Sequence, residues 1–137
     1  MKTTMKTAAN YSAVIAVALI MANCATPYQS TGFTGGYSDT ALGPNVYRVS
    51  FQGNGYTSLS RAQDFAMLRA ADTTLSHGFR YFAIVDKDNR TTNLTVFKPN
   101  SDLLIRCFAA RPESGYVFDA RFLSNSIRTK YHMTATS

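Results

Sequence analysis

The 137-residue chain has no tryptophan and only two cysteines and two histidines. Cys24, Cys107, His77 and His132 show no metal-ligand spacing, so a zinc motif is excluded. Basic residues never run together, which disfavours a nucleic-acid patch. The longest uninterrupted apolar core falls well short of the ~20 residues needed to span hydrocarbon, so a permanent transmembrane helix is not expected. A nucleophile elbow is missing, as are the third glycine of a dinucleotide fingerprint and the Gly-Lys-Ser/Thr of a phosphate-binding loop. These absences leave few catalytic or cofactor classes; no catalytic, cofactor-binding or metal residue is assigned and no cofactor is expected.

What is present begins with a leader. Lys2 and Lys6 precede a ten-residue apolar core, AVIAVALIMA at 13–22, which has the logic of an export signal. The formal charge is +6, and +4 once the two leader lysines are set aside. A surplus of this size is compatible with anionic lipid, lipopolysaccharide or cell-wall polymer, and is also ordinary for a soluble domain.

The core ends in Leu19-Ile20-Met21-Ala22-Asn23-Cys24. This resembles the lipobox of bacterial lipoproteins, in which the signal is cut before a cysteine that receives diacylglycerol. The resemblance implies cleavage between Asn23 and Cys24 and lipidation of Cys24, leaving Cys107 as a single thiol. Asn23 departs from the small residue usual there; Ala25, in place of Asp at the second mature position, favours the outer membrane. The alternative is a secretory signal cut nearby, releasing a soluble protein.

Residues 25–44, ATPYQSTGFTGGYSDTALGP, lack periodicity and read as a tether. As flexible coil they would span roughly 25 Å. Tyr28, Phe33 and Tyr37 are unusual in a linker, so the half from Phe33 to Tyr37 is expected to dock on the domain.

Gly35-Gly36-Tyr37-Ser38-Asp39, then Val46-Tyr47-Arg48-Val49-Ser50-Phe51-Gln52-Gly53-Asn54-Gly55-Tyr56, resembles a group of small proteobacterial cell-envelope lipoproteins without assigned function. The likeness continues through Arg61, Asp64-Phe65, Leu68-Arg69-Ala70-Ala71, Gly78 and Tyr81-Phe82. It implies an envelope address and an α+β domain, and no activity.

Residues 46–52 alternate, with Tyr47, Val49 and Phe51 on one face, and predict a half-buried strand. A helix is predicted over 59–77, capped by a Ser60–Gln63 box and stopped by Gly78. Its apolar positions include Leu59, Phe65, Leu68 and Leu75; Arg61/Asp64 and Arg69/Asp72 have the spacing of intrahelical ion pairs. The Gly53-Asn54-Gly55 loop before it would suit an anion but is read as a backbone turn.

Strands are predicted at 79–85, 93–98 and 103–110, with polar turns at 86–90 and 99–102 and a short extended piece at 116–118. Asp119 is expected to cap a final helix to about Lys130, with Phe122, Leu123, Ile127 and Tyr131 toward the core. Cys107 is expected to be a buried hydrophobe and His77 a C-terminal cap, with His132 in a frayed tail. Asp86 and Asp88 flank Lys87 in a turn and read as a solvated loop.

The division expected is therefore a signal peptide at 1–23, a lipidated flexible tether at 24–44, and one domain at 45–137. Its class is α+β: a mixed or antiparallel sheet of about four strands with two helices, in the order β-α-β-β-β-α. The function expected is a non-enzymatic binding or structural role in the cell envelope. The membrane, through lipid on Cys24, is the first partner; an envelope protein, lipopolysaccharide or cell-wall polymer is the second. A periplasmic enzyme or small-ligand binder is the alternative.

Overall fold

The computed structural model describes residues 25–134 except 94–96, and the side chains of 88–98 fall outside the description. Cys24 and Asn23 therefore lie outside the described residues, as does the whole predicted signal. The element order is β1 (Gly36–Gly43), β2 (Val46–Gln52), α1 (Leu59–Ser76), β3 (Tyr81–Asn93), β4 (Phe97–Phe108), β5 (Phe118–Asp119) and α2 (Ala120–Lys130). The five strands form one antiparallel sheet in the order β1-β2-β4-β3-β5. The fold is α+β, with five strands where about four were expected.

Alternation in β2 sets the core. Tyr47, Val49 and Phe51 are buried and sit opposite Ile105, Leu103 and Ser101 of β4; Phe82 of β3 faces Cys107. Onto this face α1 lays Ala62, Phe65, Ala66, Ala70 and Ala71, all fully buried, while Leu68, also fully buried, lies on the arc between Asp64 and Asp72 that meets α2. The alanines permit close approach of helix and sheet. Arg48 and Arg106 are exposed on the opposite face of the sheet.

The helix cap lies two residues before the predicted box: Ser58 is the cap, its hydroxyl accepting from the Arg61 amide at 3.1 Å. Leu59, expected in the core, stays exposed in the first turn of α1. The stop is as predicted. Gly78 takes φ +82°, and the amides of Gly78 and Phe79 return to the carbonyls of Leu75 and Thr74 at 3.1 and 3.0 Å. This is a Schellman closure. A matching closure ends α2 at His132, φ 54°, with Met133 bonded to the Arg128 carbonyl at 2.8 Å. His132 is thus the left-handed cap of α2 and not part of a frayed tail.

The tether expectation is corrected. Residues 36–43 form an edge strand paired with β2, and 29–31 bridge to its other side through Tyr37. Gly35 and Gly36 make the crossing possible. Both have positive φ, and an added Cβ would lie 2.2 Å from the Gln52 carbonyl oxygen at Gly35 and 2.5 Å from those of Gln29 and Ser30 at Gly36. Tyr28 and Tyr37 dock with ring centroids 4.6 Å apart, Tyr28 meeting Phe65 edge-on at 5.7 Å. Phe33 does not dock; it is fully exposed.

The strands after α1 are also redrawn. The expected turn at 86–90 and the loop at 99–102 both lie in the long antiparallel pair β3–β4, whose described pairing runs to Asn93↔Phe97. Its last rungs, from Thr91↔Pro99 to Asn93↔Phe97, run past the end of β2. Val85 and Leu42 are exposed because each is the extra residue at a register shift, in β3 and β1 respectively, and follows neither face.

Candidate functional site

Helix α2 returns antiparallel to α1, and three aspartates of the docked layer fix the arrangement. Asp72 of α1 accepts from Tyr28 Oη at 2.7 Å, Ser124 Oγ at 3.0 Å and an Arg128 terminal nitrogen at 2.6 Å. Asp64 accepts from Lys130 Nζ and Tyr131 Oη, both at 2.6 Å. Asp39 of β1 takes Arg69, whose Nε donates at 2.8 Å and whose guanidinium lies 4.2 Å from the Tyr37 ring centre. The expected pairs Arg61/Asp64 and Arg69/Asp72 are replaced by partners on other elements. Arg61 instead lies over Phe65 and Tyr131, at 4.9 and 5.1 Å.

These contacts set the electrostatics. Burial, then the charge of Asp72 and the bond to it, push the Tyr28 phenol well above its ordinary range. Tyr131 moves the same way through burial and Asp64. Burial alone would weaken the Arg69 cation, but the hydrogen bond and charge of Asp39 outweigh it. The Cys107 thiol is raised by burial, against a partial offset from Thr74. Asp39, Asp64 and Asp72 are each engaged by cations, so their geometry serves packing.

His77 behaves as the predicted cap, its Nδ1 lying 2.8 Å from the Thr73 carbonyl. Asp86 accepts from the Lys87 amide at 2.8 Å; the Asp88 side chain is outside the described residues. The Gly53-Asn54-Gly55 loop has another use than an anion: Asn54 N donates to Thr26 Oγ1 at 2.7 Å, while its carboxamide oxygen accepts from Tyr56 N and Thr57 Oγ1, both at 3.0 Å. Among the described residues no group of three His, Cys, Asp or Glu converges, and no helix is long and apolar enough to cross a membrane.

A cleft of about 560 Å³ opens where the C-terminus of α1 meets the start of α2. Leu75 and Phe79, brought there by the Gly78 closure, give it an apolar wall, and Phe122 stands 73% exposed on its rim. Phe122, expected in the core, points outward from the first turn of α2 because Ala120 and Ile127 take the buried arc. Arg80, Arg121 and Asn125 supply the polar side. Asp119 both caps α2 through the Phe122 amide at 3.1 Å and approaches Arg80 at 3.8 Å. Arg80 and Arg111 flank the Tyr81 ring at 5.4 and 5.0 Å from its centre. An apolar wall under an arginine-rich rim suits a group combining an apolar anchor with negative charge. The sequence offered no signal for this site beyond the aromatic and Arg content of 116–122.

No family model matches the chain, and neither curated proteins nor solved structures yield a match.

Proposed function

We propose that this chain is a bacterial cell-envelope lipoprotein, anchored through acyl chains on Cys24 and facing the periplasm, with a binding or structural role and no enzymatic activity. The address rests on the export-type leader ending in Leu19-Ile20-Met21-Ala22-Asn23-Cys24. Several acyl chains on one residue give stable attachment where one alone is marginal. The observation that supports a binding role is the cleft beside Phe122, where exposed apolar surface adjoins Arg80 and Arg121. Its fitting partner is an anionic envelope component with an apolar anchor.

Two measurements test this reading. Palmitate labelling of the wild type should disappear in Cys24→Ala; labelling that survives the change would refute the anchor. A photo-crosslinking residue at position 122 should capture an anionic envelope component in cells, and Arg80→Glu with Arg121→Glu should abolish capture. Capture that is indifferent to those charges would refute the cleft as the binding site.

A further inference from the structure

We propose that the end of the domain carrying Thr26 sits directly on the bilayer, with Phe33, Tyr56 and Leu59 in the lipid interface. This rests on the lipid-anchor reading of Cys24 and adds the orientation in which the domain is held.

The first observation is that no slack follows the anchor. Thr26 is fully buried. Its amide donates to Thr57 Oγ1 at 2.9 Å, and its hydroxyl donates to the Thr34 carbonyl at 2.8 Å while accepting from Asn54 N at 2.7 Å. The backbone can place at most about 7 Å between the Cα atoms of Cys24 and Thr26. A lipid on Cys24 therefore brings this end of the fold to the head groups, in place of the roughly 25 Å reach of a free 20-residue coil.

The second observation is what Thr26 gathers around itself. Thr34 is preceded by Phe33, and together they form the two-residue tip of a turn closed by reciprocal Gly32–Gly35 bonds of 3.0 and 3.2 Å. Thr57 is preceded by Tyr56, and Leu59 opens α1 two residues later. Phe33 is fully exposed, Tyr56 is 61% exposed and Leu59 is 38% exposed. Two segments, 32–35 and 56–59, thus present three apolar or amphipathic side chains beside the anchor. Aromatic rings favour the interface, where an apolar body and a polar tip are both solvated.

The third observation concerns the opposite end. The 18 residues of α1 separate Ser58 from the Phe79–Phe122 cleft by about 27 Å. Seating one end on lipid leaves the cleft facing the aqueous phase, accessible to its partner.

The absence of tryptophan provides the assay. Single replacements Phe33→Trp, Tyr56→Trp and Phe122→Trp are made in the full chain, at three exposed positions where folding is retained. The purified proteins, with acyl chains on Cys24 verified by intact mass, are reconstituted into phosphatidylethanolamine–phosphatidylglycerol vesicles. Lipids brominated near the carbonyl end of the acyl chain serve as quenchers. Emission from positions 33 and 56 should shift to the blue and be largely quenched, while position 122 should stay red-shifted and unquenched. If acylated protein shows no quenching at 33 and 56, the seating is overturned and the anchor stands. Equal quenching at all three positions, or a blue shift without quenching, which would indicate contact between copies, also overturns it. If Cys24 carries no acyl chain, the anchor reading fails and the seating fails with it.

Discussion

Raising the pH past 10 should destabilise this domain, with Tyr28 as one identifiable cause. Its hydroxyl donates to Asp72 at 2.7 Å, and burial together with that carboxylate raises the phenol's pKa. Above about pH 10 the unfolded chain releases this proton while the folded chain keeps it. The native state then binds more protons than the unfolded state, so stability falls as pH rises; the contribution is fully present below 10 and lost above it. One proton corresponds to about 1.4 kcal/mol per pH unit, so the step from pH 10 to 11.5 costs about 2 kcal/mol through Tyr28. Against a typical total of about 5–15 kcal/mol that loss is measurable. Tyr131 and Cys107 are shifted in the same direction and steepen the wild-type curve. Tyr28→Phe should lose about 1 kcal/mol at neutral pH with the hydrogen bond, but Asp72 keeps Ser124 and Arg128. The variant's stability should then decline more slowly, and the two curves should cross roughly one pH unit above 10. Urea melts at intervals from pH 8 to 11.5 follow both curves. Parallel curves would refute the assignment, and with it the docking of residues 25–35 through Tyr28.

Cys107 is buried, and since the Thr74 hydroxyl donates to the Ala70 carbonyl at 2.7 Å, the thiol 3.3 Å away must donate to Thr74. It should resist thiol reagents until the protein is denatured, and Cys107→Ser, which can donate the same bond, should cost about 1 kcal/mol; rapid labelling of native protein would contradict this. Leu68→Ala, at a fully buried site, should cost about 2–5 kcal/mol in a denaturant melt, and a change of only a few tenths would show the facing to be wrong. His132→Gly should raise stability by up to about 1 kcal/mol by relieving the left-handed cap at φ 54°; an unchanged melting midpoint would mean that position bears no strain.

Where apolar side chains meet one face of a regular element, the period is written in the chain. Tyr47, Val49 and Phe51 mark β2, the run of Ala, Phe and Leu before Gly78 marks α1, and Asp119 marks the start of α2. The class α+β and the burial of Cys107 follow from those patterns. Edge strand β1 has no such pattern. It is held by backbone bonds to β2, and much of its surface faces solvent, so a Gly- and Thr-rich segment serves as well as an apolar one. The polar arms of the β3–β4 pair hid for the same reason, since ladder hydrogen bonds need no particular side chain.

Spacing alone could name the charges but not their partners. Arg69 and Asp72 are three residues apart on α1, yet each reaches a different element because the antiparallel return of α2 and the crossing of β1 offer better-placed counter-charges. The export-type pattern of Lys2, Lys6 and the apolar run at 13–22, and the lipobox-like run ending at Cys24, are sequence features and require no fold to be read. That Thr26 is clamped by Asn54 and Thr57, with Phe33 and Tyr56 beside it, depends on residues 26–34 meeting the distant 54–57 loop through hydrogen bonds that local sequence does not specify.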